Sequence, residues 1–455
     1  MDAVVQHSPR AAWTRRRVLA SAGLASAAVA CGTPAGSSQP AGNAEAPAKL
    51  LVKIRAGATY DQAFKEGITL FNQKFPKTTV EYFPEESGWP EKLLAGWAAD
   101  AGADVMQAWD EHFWRFTANG VLVNVNDLLK DMKKADLDDF IKGQWNGFQI
   151  PGTNFRFGIP TYINIGVLYY NKNTFQRNGV KEPDTTWTYD TYAETAKRLT
   201  KMEGGRQVYG GFHPLSASRM HNTIWAFGGQ IVDLKDFKKT TVHLPEAQEG
   251  IRWMQERHFK DTSFIPYKAR PSGFAFRTAL GDGTVAMAEE GMHALKDVAA
   301  VEGLSFDVAP LARGPKNKLT WITTDGWGMW KGSKAKDQAW EFTKFLGSTD
   351  WYRIQAKHDQ LLPSRISVLD EWASIVRSKF PSLEKVNLKG VKDMLAASPP
   401  LGSTRPHFLC HTDAFAIVDK TMNDILREGT EQPSVFTSRK DQIETAAGAC
   451  GLTLK

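Results

Sequence analysis

The chain has 455 residues, of which 42% are hydrophobic and 23% are charged, a composition typical of a soluble globular protein. This length is too great for one hydrophobic core and predicts two domains or lobes. The formal net charge is +6, but half of it comes from residues 1–30, which hold four arginines and one aspartate. The remaining charge gives no reason to expect nucleic-acid binding.

The amino terminus has the pattern of an export signal. Arg15-Arg16-Arg17 precedes a run of small and apolar residues that ends at Ala30 and is too short to span a membrane stably. The paired arginines are typical of a twin-arginine signal. Ala28-Val29-Ala30-Cys31 resembles a bacterial lipobox, which implies a lipid on Cys31. The departure is Ala28, where leucine is usual, and ordinary cleavage nearby is the alternative.

Residues 31–48 consist mostly of Gly, Pro, Ser and Ala with one charged residue, Glu45. Such a composition cannot form a core and predicts a flexible tether. We therefore predict a signal peptide at 1–30, a lipidated Cys31 and a tether to residue 48, which together would hold the protein at the outer face of the cell membrane.

Short strands and helices then alternate. The predicted order is strand 49–55, helix 60–75, strand 78–83, helix 89–99 and strand 103–109. Short links between such elements indicate a parallel, doubly wound sheet, in which ligands bind beyond the carboxyl ends of the strands. The third strand is followed by Asp110, Glu111 and His112, and then by Trp114, so we expect these side chains near a binding site.

The stretch 163–170 is β-branched, apolar and aromatic with almost no polar break, which predicts a strand buried on both faces. It ends the first series of elements and begins a second, so we interpret it as a crossover between two lobes. A core strand within one large domain is the alternative. Tyr162 and Asn164 would then lie in the cleft between the lobes, a common place for small-molecule sites.

The second series continues to the carboxyl end. Its predicted elements are helix 187–201, strand 207–212, helix 219–227, a helix from Pro245, helix 274–280, strands 284–288, 305–308 and 318–323, an extended segment 327–330, helices 335–346 and 349–357, and a closing pair of helices at 406–428 and 438–449. The closing helices should pack antiparallel, which brings Cys410 near Cys450. Outside the cytoplasm a disulfide between them is expected, with two free thiols as the alternative.

Seven stretches, in this order, resemble the bacterial extracellular solute-binding proteins of the maltose-binding-protein type, which supply sugar-importing ABC transporters. They are FNQKFPKTTVEY at 71–82, ADVMQAWDEHFWRFTANGVL at 103–122, IPTYINIGVLYYNK at 159–172, WTYDTY at 187–192, DGTVAMAEEGMH at 282–293, TTDGWGMW at 323–330 and LLPSR at 361–365. The resemblance covers nearly the whole chain after the tether.

The resemblance implies an α/β, two-lobed periplasmic-binding-protein fold of type II. Each lobe would be a mostly parallel sheet flanked by helices, and crossing hinge strands would join the lobes and let them close on a ligand. The amino lobe would comprise 49–162 and 326–348, and the carboxyl lobe 163–325 and 349–455. The implied function is a monomeric, extracytoplasmic solute-binding lipoprotein of an ABC importer, which binds a mono- or oligosaccharide and delivers it to the permease. No enzyme activity, cofactor, metal or nucleic acid is expected.

Matching the motifs residue by residue implies a set of ligand-binding side chains in the cleft. They are Trp109, Asp110, Glu111, Trp114, Tyr162, Asn164, Trp225, Phe227, Gly228, Glu290, Met292, His293, Asp325, Gly326, Trp327 and Arg365. Asn164 stands where the maltose binder has a carboxylate, and Met292-His293 where it has a stacking tryptophan, so the aromatic platform is built differently.

Structural roles are the alternative for many of these residues. The tryptophans could be core, Asp110 a helix cap, Arg365 half of a structural ion pair and His293 a surface residue. Two other functions also stay open. One is binding of another solute such as a phosphorylated polyol, and the other is a secreted carbohydrate-active enzyme, for which Asp110, Glu111 and Glu290 could supply paired carboxylates.

Overall fold

The computed structural model describes residues 46–217, 219–397 and 400–450. The predicted signal peptide, Cys31 and almost all of the tether lie outside these residues. None of the described helices is long and apolar enough to cross a membrane.

Strands and helices alternate along the described chain. The strands are β1 (Ala48–Ile54), β2 (Thr78–Pro84), β3 (Val105–Ala108), β4 (Ile159–Pro160), β5 (Gly166–Asn171), β6 (Lys201–Glu203), β7 (Arg206–Phe212), β8 (Val285–Gly291), β9 (Phe306–Ala309), β10 (Thr320–Ile322), β11 (Gly326–Met329) and β12 (Gly402–Thr404). The helices are α1 (Ala58–Lys74), α2 (Trp89–Ala98), α3 (Asp110–Ala118), α4 (Lys134–Asp138), α5 (Lys142–Gly147), α6 (Lys172–Arg177), α7 (Tyr189–Leu199), α8 (His221–Ala226), α9 (Pro245–Phe259), α10 (Phe276–Gly281), α11 (Leu295–Ala299), α12 (Lys336–Leu346), α13 (Thr349–Asp359), α14 (Leu369–Lys379), α15 (Leu388–Leu395), α16 (His411–Asn423) and α17 (Val435–Gly448).

The first sheet has the order β2-β1-β3-β11-β4. β1 pairs in parallel with β2 and β3, whereas β11 runs antiparallel between β3 and β4. The predicted alternation of strands and helices up to β3 is confirmed. Apolar residues recur along α1 with the period of a helix, so Phe64 and Phe71 face the core, where each is at most 2% exposed. Burial of each ring stabilises the lobe by about 2–3 kcal/mol.

The second sheet has the order β6-β7-β8-β5-β9. β5 runs antiparallel to both β8 and β9, and every one of its residues is buried. This confirms the prediction of a strand covered on both faces, because a strand in the middle of a sheet between two helical layers offers no side chain to water. A second core forms around it, with Leu168 and Trp253 among its members.

The chain passes between the two sheets on adjacent paths. The segment from β4 to β5 leaves the first sheet for the second, and the segment from β10 to β11 returns. The two segments run antiparallel, with a bridge between Ile165 and Ile322. The buried Gln144 side chain donates to the carbonyls of Tyr162 (2.8 Å) and Thr323 (2.9 Å), one on each segment. These crossing segments form the floor between two lobes.

The structure differs from the predicted lobe boundary at residue 349. The helix α13 was assigned to the carboxyl lobe, but it packs against α1, and Trp351 and Tyr352 are buried in the core of the first sheet. Gly67 of α1 permits this packing, since a Cβ at that position would lie 2.6 Å from the Trp351 ring. The chain stays with the first lobe beyond α13, because Val368 is still in the core of the first sheet, and it leaves that lobe at α14, whose Leu369 and Trp372 are in the core of the second lobe.

The helices α16 and α17 form an antiparallel hairpin on the second lobe. Phe408, Val418 and Ile443 are buried in the core around β5. The structure joins Cys410, just before α16, to Cys450, just after α17, by a disulfide whose Cα atoms are 5.6 Å apart. This separation is typical of a disulfide, and the antiparallel arrangement of the two helices brings the two cysteines to it.

Candidate functional site

A cavity of about 610 Å³ lies between the two lobes, above the crossing segments. Its walls come from both sheets, both crossing segments and the start of the carboxyl-terminal hairpin. The lining residues are Arg55, Tyr60, Trp109, Asp110, Glu111, Tyr162, Asn164, Arg219, His221, His293, Lys296, Asp297, Thr323, Asp325, Leu361, Arg405, Pro406, His407, His411 and Phe415. Both the volume and the position between lobes are typical of small-molecule sites.

The floor of the cavity is a chain of hydrogen bonds across the crossing segments. Arg55, at the carboxyl end of β1, donates to the hydroxyl of Tyr162, which in turn donates to Oδ1 of Asp325 over 2.9 Å. Burial, together with the nearby Asp110 carboxylate, raises the pKa of Asp325 to about 6, and the hydrogen bond with Thr323, the Arg55 guanidinium and the Tyr162 hydroxyl only partly offset that effect. The chain places a cation, a phenol and a carboxylate where the two lobes meet.

The raised pKa of Asp325 predicts that the stability of the protein depends on pH. Because folding raises this pKa, the folded protein binds the proton more tightly, and the contribution of Asp325 to the free energy of unfolding falls as the pH rises from about 4 to 6. A shift of about two units corresponds to about 3 kcal/mol. Asp325→Asn should therefore gain about 3 kcal/mol relative to wild type between pH 4 and pH 7, measured by denaturant unfolding at both values. A difference in the free energy of unfolding between Asp325→Asn and wild type that is the same at pH 4 and pH 7 would contradict this prediction.

One wall carries two predicted residues, Trp109 just before α3 and Glu111 in its first turn. Nε1 of Trp109 donates to Glu111 over 2.9 Å, which fixes the orientation of a half-buried indole ring at the cavity. The guanidinium of Arg55 lies 5.7 Å from the centre of that ring. A tryptophan held in this way presents an aromatic face to a ligand.

The carboxylate of Asp110 is already engaged by the protein. It accepts hydrogen bonds from the amide and hydroxyl of Thr324 (2.9 and 2.7 Å) and from Arg405, and Nε2 of His407 lies 3.6 Å away. Burial alone would raise the pKa of Asp110, but Arg405 and His407 outweigh it and hold that pKa well below its usual value. Asp110 therefore stays ionised, and it binds other parts of the chain.

The opposite wall belongs to the second lobe. The Asn164 side chain contacts Nδ1 of His293 (3.0 Å) and accepts from its backbone amide (3.1 Å), so Asn164 holds His293 in place. Arg219 lies over the ring of Trp321, 4.6 Å from its centre, and pairs with Glu290 at 3.5 Å. Glu290 thus sits behind the cavity wall and orients a cation that lines it.

Seven of the predicted residues line the cavity, and the others do not. Trp225 and Trp327 are at most 2% exposed: the indole of Trp225 donates to Gln230 over 2.8 Å, and Trp327 is in the core of the first lobe. Met292 is buried in the second lobe, and Trp114 packs on Phe237. These four side chains do not line the cavity, because Trp225, Trp327 and Met292 point into a core and Trp114 packs against the loop that carries Phe237.

Arg365, Gly326, Phe227 and Gly228 also lie elsewhere. Arg365 is buried and donates to two backbone carbonyls, and it pairs with Asp139 at 3.3 Å, so the structural alternative holds. Gly326 fits tightly inside the first sheet, where a Cβ would approach the Ile159 carbonyl oxygen to 2.4 Å. Phe227 lines a separate groove on the second lobe, and Gly228 lies beside Lys316 there.

Several cavity residues were missed by the sequence analysis. Arg55 follows β1 as Trp109 follows β3, so the rule that ligands bind beyond strand ends could have found it. His221 is the first residue of α8, whereas the predicted site residues Trp225 and Phe227 lie at the other end of that helix. Arg405, His407 and His411 lie far along the chain from most of the other cavity residues, and the packing of the hairpin and of the segment before it brings them to the cavity.

Solved structures of similar fold include ABC transporter substrate-binding proteins. An ABC substrate-binding protein from Listeria monocytogenes in complex with cycloalternan is 19% identical, with a TM-score of 0.72 over 89% of this chain and 100% of that chain. A Mycobacterium tuberculosis protein in complex with glycerophosphocholine is 16% identical, with a TM-score of 0.68 over 89% of this chain and 99% of that chain. These likenesses confirm the two-lobed fold.

Sequence comparison agrees with the structures. A binding protein of Brucella abortus (strain 2308) is 23% identical over 308 residues, which is 66% of this chain and 72% of the relative. The family described as bacterial extracellular solute-binding protein matches residues 67–379, well over half of the chain. The chain therefore belongs to the bacterial extracellular solute-binding protein family.

Proposed function

We propose that the protein binds a mono- or oligosaccharide in the cavity between its lobes and delivers it, unchanged, to the permease of an ABC importer. The observation that carries this proposal is the make-up of the cavity. Four cationic side chains and four carboxylates line it beside an oriented indole, several of them already bonded to one another. A balanced set of donors and acceptors with an aromatic face suits a neutral ligand rich in hydroxyl groups.

The residues proposed to contact the ligand are those that line the cavity with free polar atoms or ring faces. Trp109 supplies a stacking surface, and Arg55, Tyr60 and His293 supply hydrogen bonds. Glu111 accepts from Trp109 through one oxygen and keeps the other for a hydroxyl. Paired hydrogen bonds from planar groups to neighbouring hydroxyls would give the site its orientation and specificity.

We predict that Trp109→Ala weakens binding of the preferred sugar by about 1–3 kcal/mol, which is about 5- to 150-fold in Kd, since a stacking face would be lost. A panel of sugars and polyols is first screened by thermal shift, and calorimetry of the hit then compares the variants. Trp145→Ala is the matched control, because Trp145 is also half-buried in the first lobe but stacks on Phe140, 4.8 Å away, and does not line the cavity. Equal affinities of wild type and Trp109→Ala would reject the proposed site.

A phosphorylated polyol is the second candidate ligand. Arg55 and Lys296 line the cavity, and neither pairs with a carboxylate of the described residues. A ligand phosphate could bind between such cations. Stabilisation of the protein by glycerol phosphates and not by neutral sugars would favour this candidate, whereas release of cleaved sugar during incubation would favour the enzyme alternative.

Export and anchoring are part of the same proposal. A twin-arginine signal and a lipid on Cys31 would place the cavity outside the cytoplasm next to the permease. Mass spectrometry of the mature amino terminus, purified from membranes of the producing cell, tests this: a diacylglyceryl mass on Cys31 supports the anchor, and an unmodified terminus rejects it.

A further inference from the structure

The two lobes touch each other beside the cavity through one face of α3. We infer that Asp110 and Trp114 of the first lobe, together with Arg405 and Phe237 of the second, form an interlobe latch that holds the lobes together when no ligand is bound. Asp110 is in this view a positioning residue for lobe closure. The inference depends on the two-lobed fold and not on the identity of the solute.

The polar half of the latch is the ion pair between Asp110 and Arg405. Nε of Arg405 donates to Oδ2 of Asp110 over 3.0 Å, and a second guanidinium nitrogen donates to the same oxygen. Asp110 is 1% exposed, and its other oxygen accepts from Thr324 on a crossing segment. A buried carboxylate with these partners loses much of its stabilisation when one of them is withdrawn, so parting the lobes here is unfavourable.

The apolar half lies one helical turn further along α3. Residues four apart lie on the same face of a helix, so Trp114 meets the second lobe next to Asp110. Its ring contacts the ring of Phe237 edge to face, with centroids 4.6 Å apart, and Trp114 is 5% exposed. Opening the lobes would uncover both rings to water.

The second lobe presents the two partner residues on one rigid surface. The carbonyl of Phe237 accepts from the amide of Leu409 over 3.0 Å, which ties the Phe237 loop to the segment that carries Arg405. Phe408 is fully buried in the core of the second lobe, and the disulfide at Cys410 joins the same segment to the end of α17. The segment is therefore fixed to the second lobe, so the contacts of Arg405 and Phe237 with α3 join the two lobes.

A contact of this kind shifts the equilibrium of the ligand-free protein towards the closed arrangement. Small-angle X-ray scattering of the ligand-free mature protein tests it. Asp110→Asn removes the charge, and Phe237→Ala removes the apolar contact, so each variant should show a larger radius of gyration than wild type. Glu91→Gln is the matched control: it breaks the ion pair of Glu91 with Arg115, which joins α2 and α3 within the first lobe, and it should leave the radius unchanged.

The outcomes separate the latch from other roles. If both latch variants are folded by circular dichroism and scatter like wild type, the latch does not exist. If Asp110→Asn fails to fold, Phe237→Ala decides, since it leaves the buried ion pair intact. An increase in the radius for Glu91→Gln as well would assign the effect to α3 itself and overturn the inference. Because no solute is present, failure of the sugar proposal cannot alter these results.

Discussion

Replacing Trp327 with alanine should lower the free energy of unfolding by about 3–5 kcal/mol, the usual cost of deleting a large aromatic side chain from a core. Trp327 lies on β11 and is 1% exposed, with its ring 5.7 Å from Phe64 and 6.1 Å from Trp351. The cavity left behind would open where the sheet packs on α1 and α13. Guanidinium unfolding of the variant and wild type measures the loss.

Trp327→Ala and Trp109→Ala should differ in the property that they change: the first should lose stability, and the second should lose affinity for the ligand. Because the Trp327 side chain points into the core, the folded fraction of Trp327→Ala should bind the ligand within about threefold of wild type, whereas Trp109→Ala should lose affinity and keep most of its stability. A Trp327→Ala protein of normal stability that binds poorly would return Trp327 to the ligand site.

Removal of the disulfide should destabilise the protein by about 4 kcal/mol in the chain-entropy account, since Cys410 and Cys450 are separated by 40 residues. The double variant Cys410→Ser, Cys450→Ser should unfold at a lower guanidinium concentration than wild type. Wild type with a reducing agent should approach the variant, and the variant itself should not respond to the reductant.

Two results would contradict the disulfide prediction. Non-reducing peptide mapping of protein exported from its native host could find both thiols alkylatable. Alternatively, wild type could unfold at the same midpoint with and without reductant. A large effect is expected because α16 and α17 supply Val418 and Ile443 to the second core, and the segment just before α16 supplies Phe408, so the cross-link restrains a hairpin that the lobe needs.

How much the sequence could predict depended on the range of the interactions involved. The periodicity of α1 and the unbroken apolar run of β5 depend on neighbouring residues, and both predictions were confirmed. Trp327 lies between two glycines on a short strand, where side chains alternate between faces. Which face of β11 is covered by the core depends on the order of strands in the sheet, and the residues around Trp327 do not predict that order.

The cavity itself shows the same limit. Arg55, Trp109 and Glu111 follow strand ends and could be found by a rule about parallel sheets. Arg405 reaches Asp110 across 295 residues of chain, and nothing near Arg405 in the sequence points to a cleft. The motif matches also favoured large tryptophans, which protein cores use at least as often as binding sites do.

The position of β11 in the chain determines which of the two sheets can form first during synthesis. All strands of the second sheet lie between residues 166 and 309, whereas the first sheet needs β11, at 326–329, to join β3 to β4. During synthesis the first sheet therefore emerges as two unjoined parts, with β3 and β4 lacking a shared partner, until the second sheet has all its strands. Although it begins the protein, the amino-terminal lobe is the later of the two to complete its sheet.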